Sequence, residues 1–151
     1  MVLQNMNIHK NKIAFISAST SGIGFEIAKK LSSEGCKVII NGRNLKRLKK
    51  SQSLLKNVDI YCADLSKEKE IKNATNFIKK KYKKLDYLVC NLGNGKKISS
   101  MPFDIKEWKK LFDINFWSSL NLIFNSQKML KVSKGNILCI SSICGKEYIK
   151  G

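Results

Sequence analysis

The residue types that could do chemistry in this chain are gathered in short clusters, each following an apolar run. The first is Ser17-Ala18-Ser19-Thr20-Ser21-Gly22-Ile23-Gly24, between Ile13-Ala14-Phe15-Ile16 and a segment where Ile23, Ile27, Ala28 and Leu31 recur at helical spacing. Strand, small-residue turn and helix in that order aim a helix N-terminus out of the turn. Its unpaired backbone N–H groups and the positive end of its dipole suit a phosphate, and the glycines let the phosphate approach the backbone. A dinucleotide is the guest this arrangement predicts. The usual G-x-G-x-x-G spacing is absent, with Ala18 in the place of the first turn glycine, and a purely structural βα turn is the alternative.

Four more clusters follow the same rule. Val38-Ile39-Ile40 leads into Asn41-Gly42-Arg43, where a dinucleotide fold meets the adenine ribose and would use a carboxylate for the 2′-hydroxyl. An arginine there, without a carboxylate neighbour, suits a 2′-phosphate, which favours NADP and leaves NAD as the alternative cofactor. The plainer reading of Arg43 is a surface arginine at a strand end. Val58–Cys62 leads into Asp64-Leu65-Ser66, where Asp64 either accepts from an adenine amino group or is a turn aspartate. Tyr87–Cys90 ends in Asn91-Leu92-Gly93-Asn94-Gly95, whose glycines and asparagines tolerate positive φ and close ligand contact. Ile137–Ile140 ends in Ser141-Ser142. Lys96 and Lys97 either flank an anionic substrate or, as we favour, are solvated.

The elements that must position these clusters alternate between short, fully apolar strands and helices, which predicts a parallel sheet covered on both faces with ligands at the carboxyl ends of its strands. Gly35 stops the first helix. Asn44 caps the second, which turns Leu45, Leu48 and Leu55 inward, and Ser66 caps the third, with Glu68 and Glu70 in its first turn. Asp104 and Glu107 open the longest helix, predicted to reach about Met129, with Trp108, Leu111, Phe112, Asn115, Ser119 and Leu122 facing inward. Asn115 is a polar intruder on that stripe, so it either ties down a helix irregularity or serves a site. Phe116, Leu120, Ile123 and Phe124 make the opposite face apolar as well.

Composition narrows the function. The 151 residues suit one domain. The first dozen residues have no signal-peptide h-region and no run approaches the roughly 18 apolar residues of a membrane span, so no membrane association and a cytoplasmic location are expected. Cys36, Cys62, Cys90, Cys139 and Cys144 contain no C-x-x-C pair and read as buried free thiols. His9 is the only histidine, and no metal is expected. The net charge of +18 comes from 29 basic residues against 11 acidic, but all the basic residues except Arg43 and Arg47 are lysines scattered over the helices. That describes a solvated surface, and no specific nucleic-acid partner is expected.

The clusters together resemble the short-chain dehydrogenase/reductase family. Its T-G-x-x-x-G-x-G motif is similar to Ser17–Gly24, with Ser17 and Ala18 as departures. Its N-N-A-G loop looks like Cys90-Asn91-Leu92-Gly93, its adenine-side aspartate like Asp64, its helix asparagine like Asn115 and its catalytic serine like Ser142. The resemblance implies an α/β, Rossmann-type doubly wound parallel sheet. Ser17, Ser19, Thr20, Ser21, Gly22, Ile23, Gly24, Arg43, Asp64, Leu65, Asn91 and Gly93 would bind NADP, for hydride transfer to or from a small carbonyl or alcohol substrate. Ser142 would hydrogen-bond the substrate oxygen and Asn115 would hold a relay water.

The family's proton donor is a tyrosine roughly a dozen residues past the serine, with a lysine four residues on. Tyr148 is only six past Ser142 and no residue stands four after it. The chain is therefore expected to be a single NAD(P)-binding Rossmann domain over 1–151, truncated after its fifth strand, and inactive alone. The alternative is a catalytically inactive nucleotide-binding or regulatory module. A full-length parent is expected to be a homo-oligomer.

Overall fold

The computed structural model of the chain describes residues 8–95 and 104–147. Five parallel strands, β1 (Ile13–Ile16), β2 (Lys37–Gly42), β3 (Val58–Cys62), β4 (Tyr87–Cys90) and β5 (Asn136–Cys139), form one sheet in the order β3-β2-β1-β4-β5. The fold class read from the alternation of elements is the one observed. Successive residues of a strand serve opposite faces. Ala14, Ile16, Val38 and Ile40 pack with Ala28 of α1 (Gly22–Ser33) and Leu48 of α2 (Leu45–Ser53). Phe15, Ile39 and Leu88 pack with Ile71, Ala74 and Ile78 of α3 (Glu68–Tyr82) and with Leu122, Met129 and Leu130 of α5 (Ser118–Ser133). Burial on both faces is why each strand reads as an unbroken apolar run.

The amino ends of the central strands are clamped by Asp86, only 2% exposed. Its carboxylate accepts from the Ile13 backbone N–H at 2.9 Å and from Lys12 at 3.0 Å, and it pairs with Lys84 at 3.1 Å. Gly135 lets β5 start against this clamp, since a Cβ there would sit 2.5 Å from the Leu85 carbonyl oxygen.

Several local expectations change. Asn44 does cap α2, accepting from the Arg47 N–H at 3.0 Å, but Leu45 is exposed and only Leu48 of that helix's leucines is fully buried. Ser66 is not the cap of α3: Lys67 holds that position, because the Ser66 N–H and hydroxyl both bond Asp64. Cys62 and Cys139 are exposed rather than buried, because they close the two edge strands, while Cys36 and Cys90 are buried.

The long helix is broken into α4 (Ile105–Phe112), a π-helical turn (Asp113–Trp117) and α5. Asp104 caps it, accepting from the Lys106 N–H. Of the inward face read from periodicity only Leu122 is fully buried, with Leu111 and Ser119 partly so. Trp108 and Phe112 are exposed, α4 buries none of its residues among those described, and Ser118, Ser126, Met129 and Leu130 complete the core face of α5. Two apolar faces were legible, but periodicity carries no information about which one the sheet covers.

Burial opposes the charge of Asp86, but the Ile13 N–H and the Lys12 and Lys84 ammonium groups outweigh it and hold the carboxyl below the ordinary carboxylate range. A depressed folded pKa contributes stability that is present above the unfolded value of about 3.9 and is lost as pH falls through the folded value. Asp86→Asn should therefore cost about 1–3 kcal/mol at pH 7, because the amide keeps one acceptor oxygen but loses the second and the charge that holds two lysines. In urea denaturation series the gap from wild type should close as pH drops below about 4; a gap independent of pH would show that the carboxylate charge is not what matters.

Candidate functional site

The crevice opens between β1 and β4, where the strand order reverses, and its walls are tied together from beneath by small polar side chains. Ser17 follows β1 and is 1% exposed. Its hydroxyl accepts from the Asn91 and Leu92 N–H groups at 2.8 and 3.0 Å and donates to the Val89 carbonyl at 3.3 Å. Ser19, fully buried, donates to the Ile16 carbonyl at 2.7 Å and accepts from the Asn41 N–H at 3.0 Å. Ser17 and Ser19 thus shape the turn from below.

Asn41 is the residue that reading the sequence missed. Its amide oxygen accepts from the Ala18 N–H at 3.2 Å, and its NH₂ donates to the Tyr61 and Ala63 carbonyls at 3.0 and 3.2 Å, joining the turn to β2 and β3. The available signal was an amide closing an apolar strand: a buried amide must find this many partners.

The turn itself is shaped by two left-handed residues and a close approach of backbone. Ala18 stands at φ +49°, the left-handed region that a glycine there would occupy without a Cβ penalty. Gly22 is also left-handed, at φ +58°. A Cβ on Gly24 would lie 2.5 Å from the Asn91 amide nitrogen and 2.9 Å from the Ala18 carbonyl oxygen, so this glycine lets α1 start close against both loops. Ser21 is the extended N-cap residue of α1, makes no side-chain cap hydrogen bond, and no acidic residue occupies the first turn. Thr20 stacks its methyl against Gly42, and its carbonyl accepts from Ser51 at 3.0 Å.

Beside the turn lies a cleft of about 740 Å³ that brings together Ile23, Asn91, Gly93, Asn115 and Ser142. The Asn91 NH₂ donates to the Ser17 and Ala18 carbonyls at 3.3 and 3.0 Å. Asn115 sits in the π-helical turn and grips the Asn94 backbone from both sides, accepting from its N–H at 2.6 Å and donating to its carbonyl at 3.1 Å. The reading of this asparagine as accompanying a helix irregularity holds, and it also lines the cleft. Ser141 and Ser142 follow β5 on its exposed rim.

The remaining candidates lie along the carboxyl crest outside this cleft. Arg43 is exposed after β2 and makes no ion pair among the described residues. Asp64 accepts from the Ser66 N–H and hydroxyl at 3.2 and 2.8 Å. Burial works against its charge, but those two bonds, with Arg43 and Lys67 nearby, hold its carboxyl below the ordinary value. Arg43 therefore does have a carboxylate in electrostatic range, contrary to what its sequence neighbours suggest. Leu65 is buried in the core under the crest. Tyr148 lies outside the described residues.

A larger, apolar trough of about 820 Å³ lies on the other face, between α1 and the β4–β5 edge. It holds none of these candidates except the rim residue Ile23; at its end His9 bonds the Tyr87 hydroxyl at 3.1 Å and pairs with Glu34 at 3.3 Å. Among the described residues no cluster of His, Cys, Asp and Glu could hold a metal, and no helix is long and apolar enough to cross a membrane.

The family model for short chain dehydrogenases matches residues 12–151. The chain belongs to that family. Its relatives include an SDR family protein 7-like dehydrogenase/reductase of Dictyostelium discoideum, 35% identical over 149 residues, covering 91% of this chain and 47% of that protein. The 3-oxoacyl-(acyl-carrier-protein) reductase of Rickettsia prowazekii is 36% identical over 138 residues, covering 89% of this chain and 55% of the reductase. A metagenomic short-chain oxidoreductase solved in complex with NADP superposes with a TM-score of 0.84 at 24% identity, over 93% of this chain and 66% of its own, a likeness of fold. This short-chain dehydrogenase chain thus spans about half to two-thirds of the length of the proteins it matches.

The strained alanine yields a test. Ala18→Gly should stabilise the chain by about 1 kcal/mol, since the left-handed conformation costs an L-residue roughly that much beyond what glycine loses in chain entropy. Thermal and urea denaturation measure it; a destabilisation would mean that the Ala18 methyl contributes packing that outweighs its backbone strain.

Proposed function

We propose that this short-chain dehydrogenase chain holds NADP(H) along the carboxyl crest and belongs to an enzyme that interconverts a small carbonyl compound and its alcohol. The single observation carrying the cofactor reading is the exposed Arg43 guanidinium at the end of β2, with no ion pair among the described residues to occupy its donors. Its planar fork matches a 2′-phosphate. The uncapped start of α1 and the close approach at Gly24 support the placing of the pyrophosphate against Ser19–Gly24, as Asn91 and Gly93 support a nicotinamide near the cleft. Asp64 and Leu65 border the adenine side. Bound NADPH supplies the hydride.

In this reading Ser142 orients the substrate oxygen, while Asn115 fixes the 91–95 loop through the Asn94 backbone and has a second amide hydrogen left for a relay water. Of the described tyrosines, Tyr61, Tyr82 and Tyr87, none lines the cleft. The proton donor is accordingly placed outside residues 1–147, in the longer protein that the relatives' lengths suggest. That absence is also what favours the second reading, an inactive nucleotide-binding module. The exposed stripe Phe116, Leu120 and Phe124, spaced one helical turn apart, supports self-association of the longer protein, and the free thiols support a cytoplasmic setting.

Calorimetry should give tighter binding of NADP than of NAD, and Arg43→Ala should weaken NADP by about ten- to a hundredfold while leaving NAD nearly unchanged. Equal affinities before and after the substitution would remove the NADP assignment. With NADPH and a small ketone or aldehyde, the 151-residue chain should show no turnover above background, since a general acid typically contributes about 10²–10⁴-fold. Robust NADPH oxidation would place the acid within the chain, with Tyr148 the first residue to substitute.

A further inference from the structure

On the α5 side of the sheet, at the floor of the cleft, two thiols face each other. Cys90 closes β4 and Cys139 closes β5, and they are register partners across the parallel pair. Neighbouring strands lie about 4.8 Å apart, within the roughly 4.4–6.8 Å Cα window that a disulfide spans. Both thiols are free, and Cys139 is near enough to act electrostatically on Cys90. Their surroundings differ. Cys90 is 2% exposed, with its sulfur 4.0 Å from the Ser119 carbonyl oxygen. Burial first, and then the neighbouring Cys139, push its pKa up to about 12. Cys139 is exposed and lines the cleft with Asn115 and Ser142. An accessible thiol beside a sheltered one on the next strand is the layout of an attacking and a resolving cysteine.

We propose that Cys90 and Cys139 form a redox-active dithiol which a hydroperoxide closes into a reversible disulfide at the floor of the cleft. The Cys139 thiolate attacks a peroxide oxygen, the O–O bond breaks, and a sulfenic acid forms as the departing oxygen takes a proton. That step removes the Cys139 charge, one of the effects holding the Cys90 proton. The Cys90 sulfur then attacks the sulfenic sulfur, the S–S bond forms, the S–O bond breaks, and hydroxide leaves with the Cys90 proton as water. The two sulfurs lose the two electrons that the peroxide gains. Adjacent parallel strands hold their Cβ atoms somewhat farther apart than a relaxed disulfide does, so the bridge draws β5 toward β4. β5 pairs with β4 alone among the described strands and can follow. A bridge strained in this way is of the readily reduced kind.

The test treats the 151-residue chain with a few equivalents of hydrogen peroxide, alkylates the remaining thiols, digests without reduction and maps the peptides by mass spectrometry. The expected product is a linked peptide pair carrying Cys90 and Cys139, released by dithiothreitol. Cys90→Ser should abolish the link and let Cys139 proceed to sulfinic acid, and Cys139→Ser should leave Cys90 unmodified. Overoxidation of Cys139 in the wild type without a link, protection of both thiols, or preferential linkage to Cys36, Cys62 or Cys144 would each overturn the proposal.

Discussion

One buried serine holds the two halves of this sheet in register at the carboxyl ends of its strands. Ser17 follows β1 and takes two N–H groups from the loop after β4, so the turn before α1 and the Asn91 loop cannot move independently. Asn91 returns the contact by donating to the Ser17 and Ala18 carbonyls, and Gly24 leaves the space it needs. Asn41 extends the same stitching to β2 and β3. Every donor and acceptor here is neutral, paired and buried or partly buried, which rigidifies the network.

The two ends of the sheet are held by different physics. At the amino ends the clamps are ionic: Asp86 with Lys12 and Lys84, and Asp59 with Lys37, Lys81 and the Tyr82 hydroxyl. At the carboxyl ends they are hydroxyls and amides, and Asp64 is the one acidic residue directly following a strand there. In a chain of net charge +18, the carboxylates of these two clamps are matched by lysines at the amino ends, while the crest carries Asp64 and, in the first turn of α3, Glu68 and Glu70.

The π-helical turn links the fold to the cleft. Widening the helix at Asp113–Trp117 lets Asn115 reach the Asn94 backbone, while Ser118 bonds the Ile114 carbonyl at 2.5 Å. The same irregularity separates α4, which buries none of its residues, from α5, whose Leu122, Met129 and Leu130 sit in the core. An apolar helix can thus serve the sheet with one part and leave another part uncovered.

The sequence by itself determined what depends on neighbours along the chain: five apolar runs as parallel strands, the turn at Ser17–Gly24 as strand to helix, Asn44 and Asp104 as caps, and the candidate residues at strand carboxyl ends. Backbone hydrogen bonding and local periodicity act over a few residues, so their signals are local. What only the tertiary structure decided depends on residues far apart in sequence. Asn41 is a knot because Ala18, Tyr61 and Ala63 converge on it. Ser66 bonds Asp64 and leaves the α3 cap to Lys67, Arg43 acquires a carboxylate neighbour, and Cys62 and Cys139 are exposed because strand order makes β3 and β5 the edges. The pairing of Cys90 with Cys139 belongs to this second kind, since register between β4 and β5 is set by how two strands separated by a whole helical excursion pack on α5.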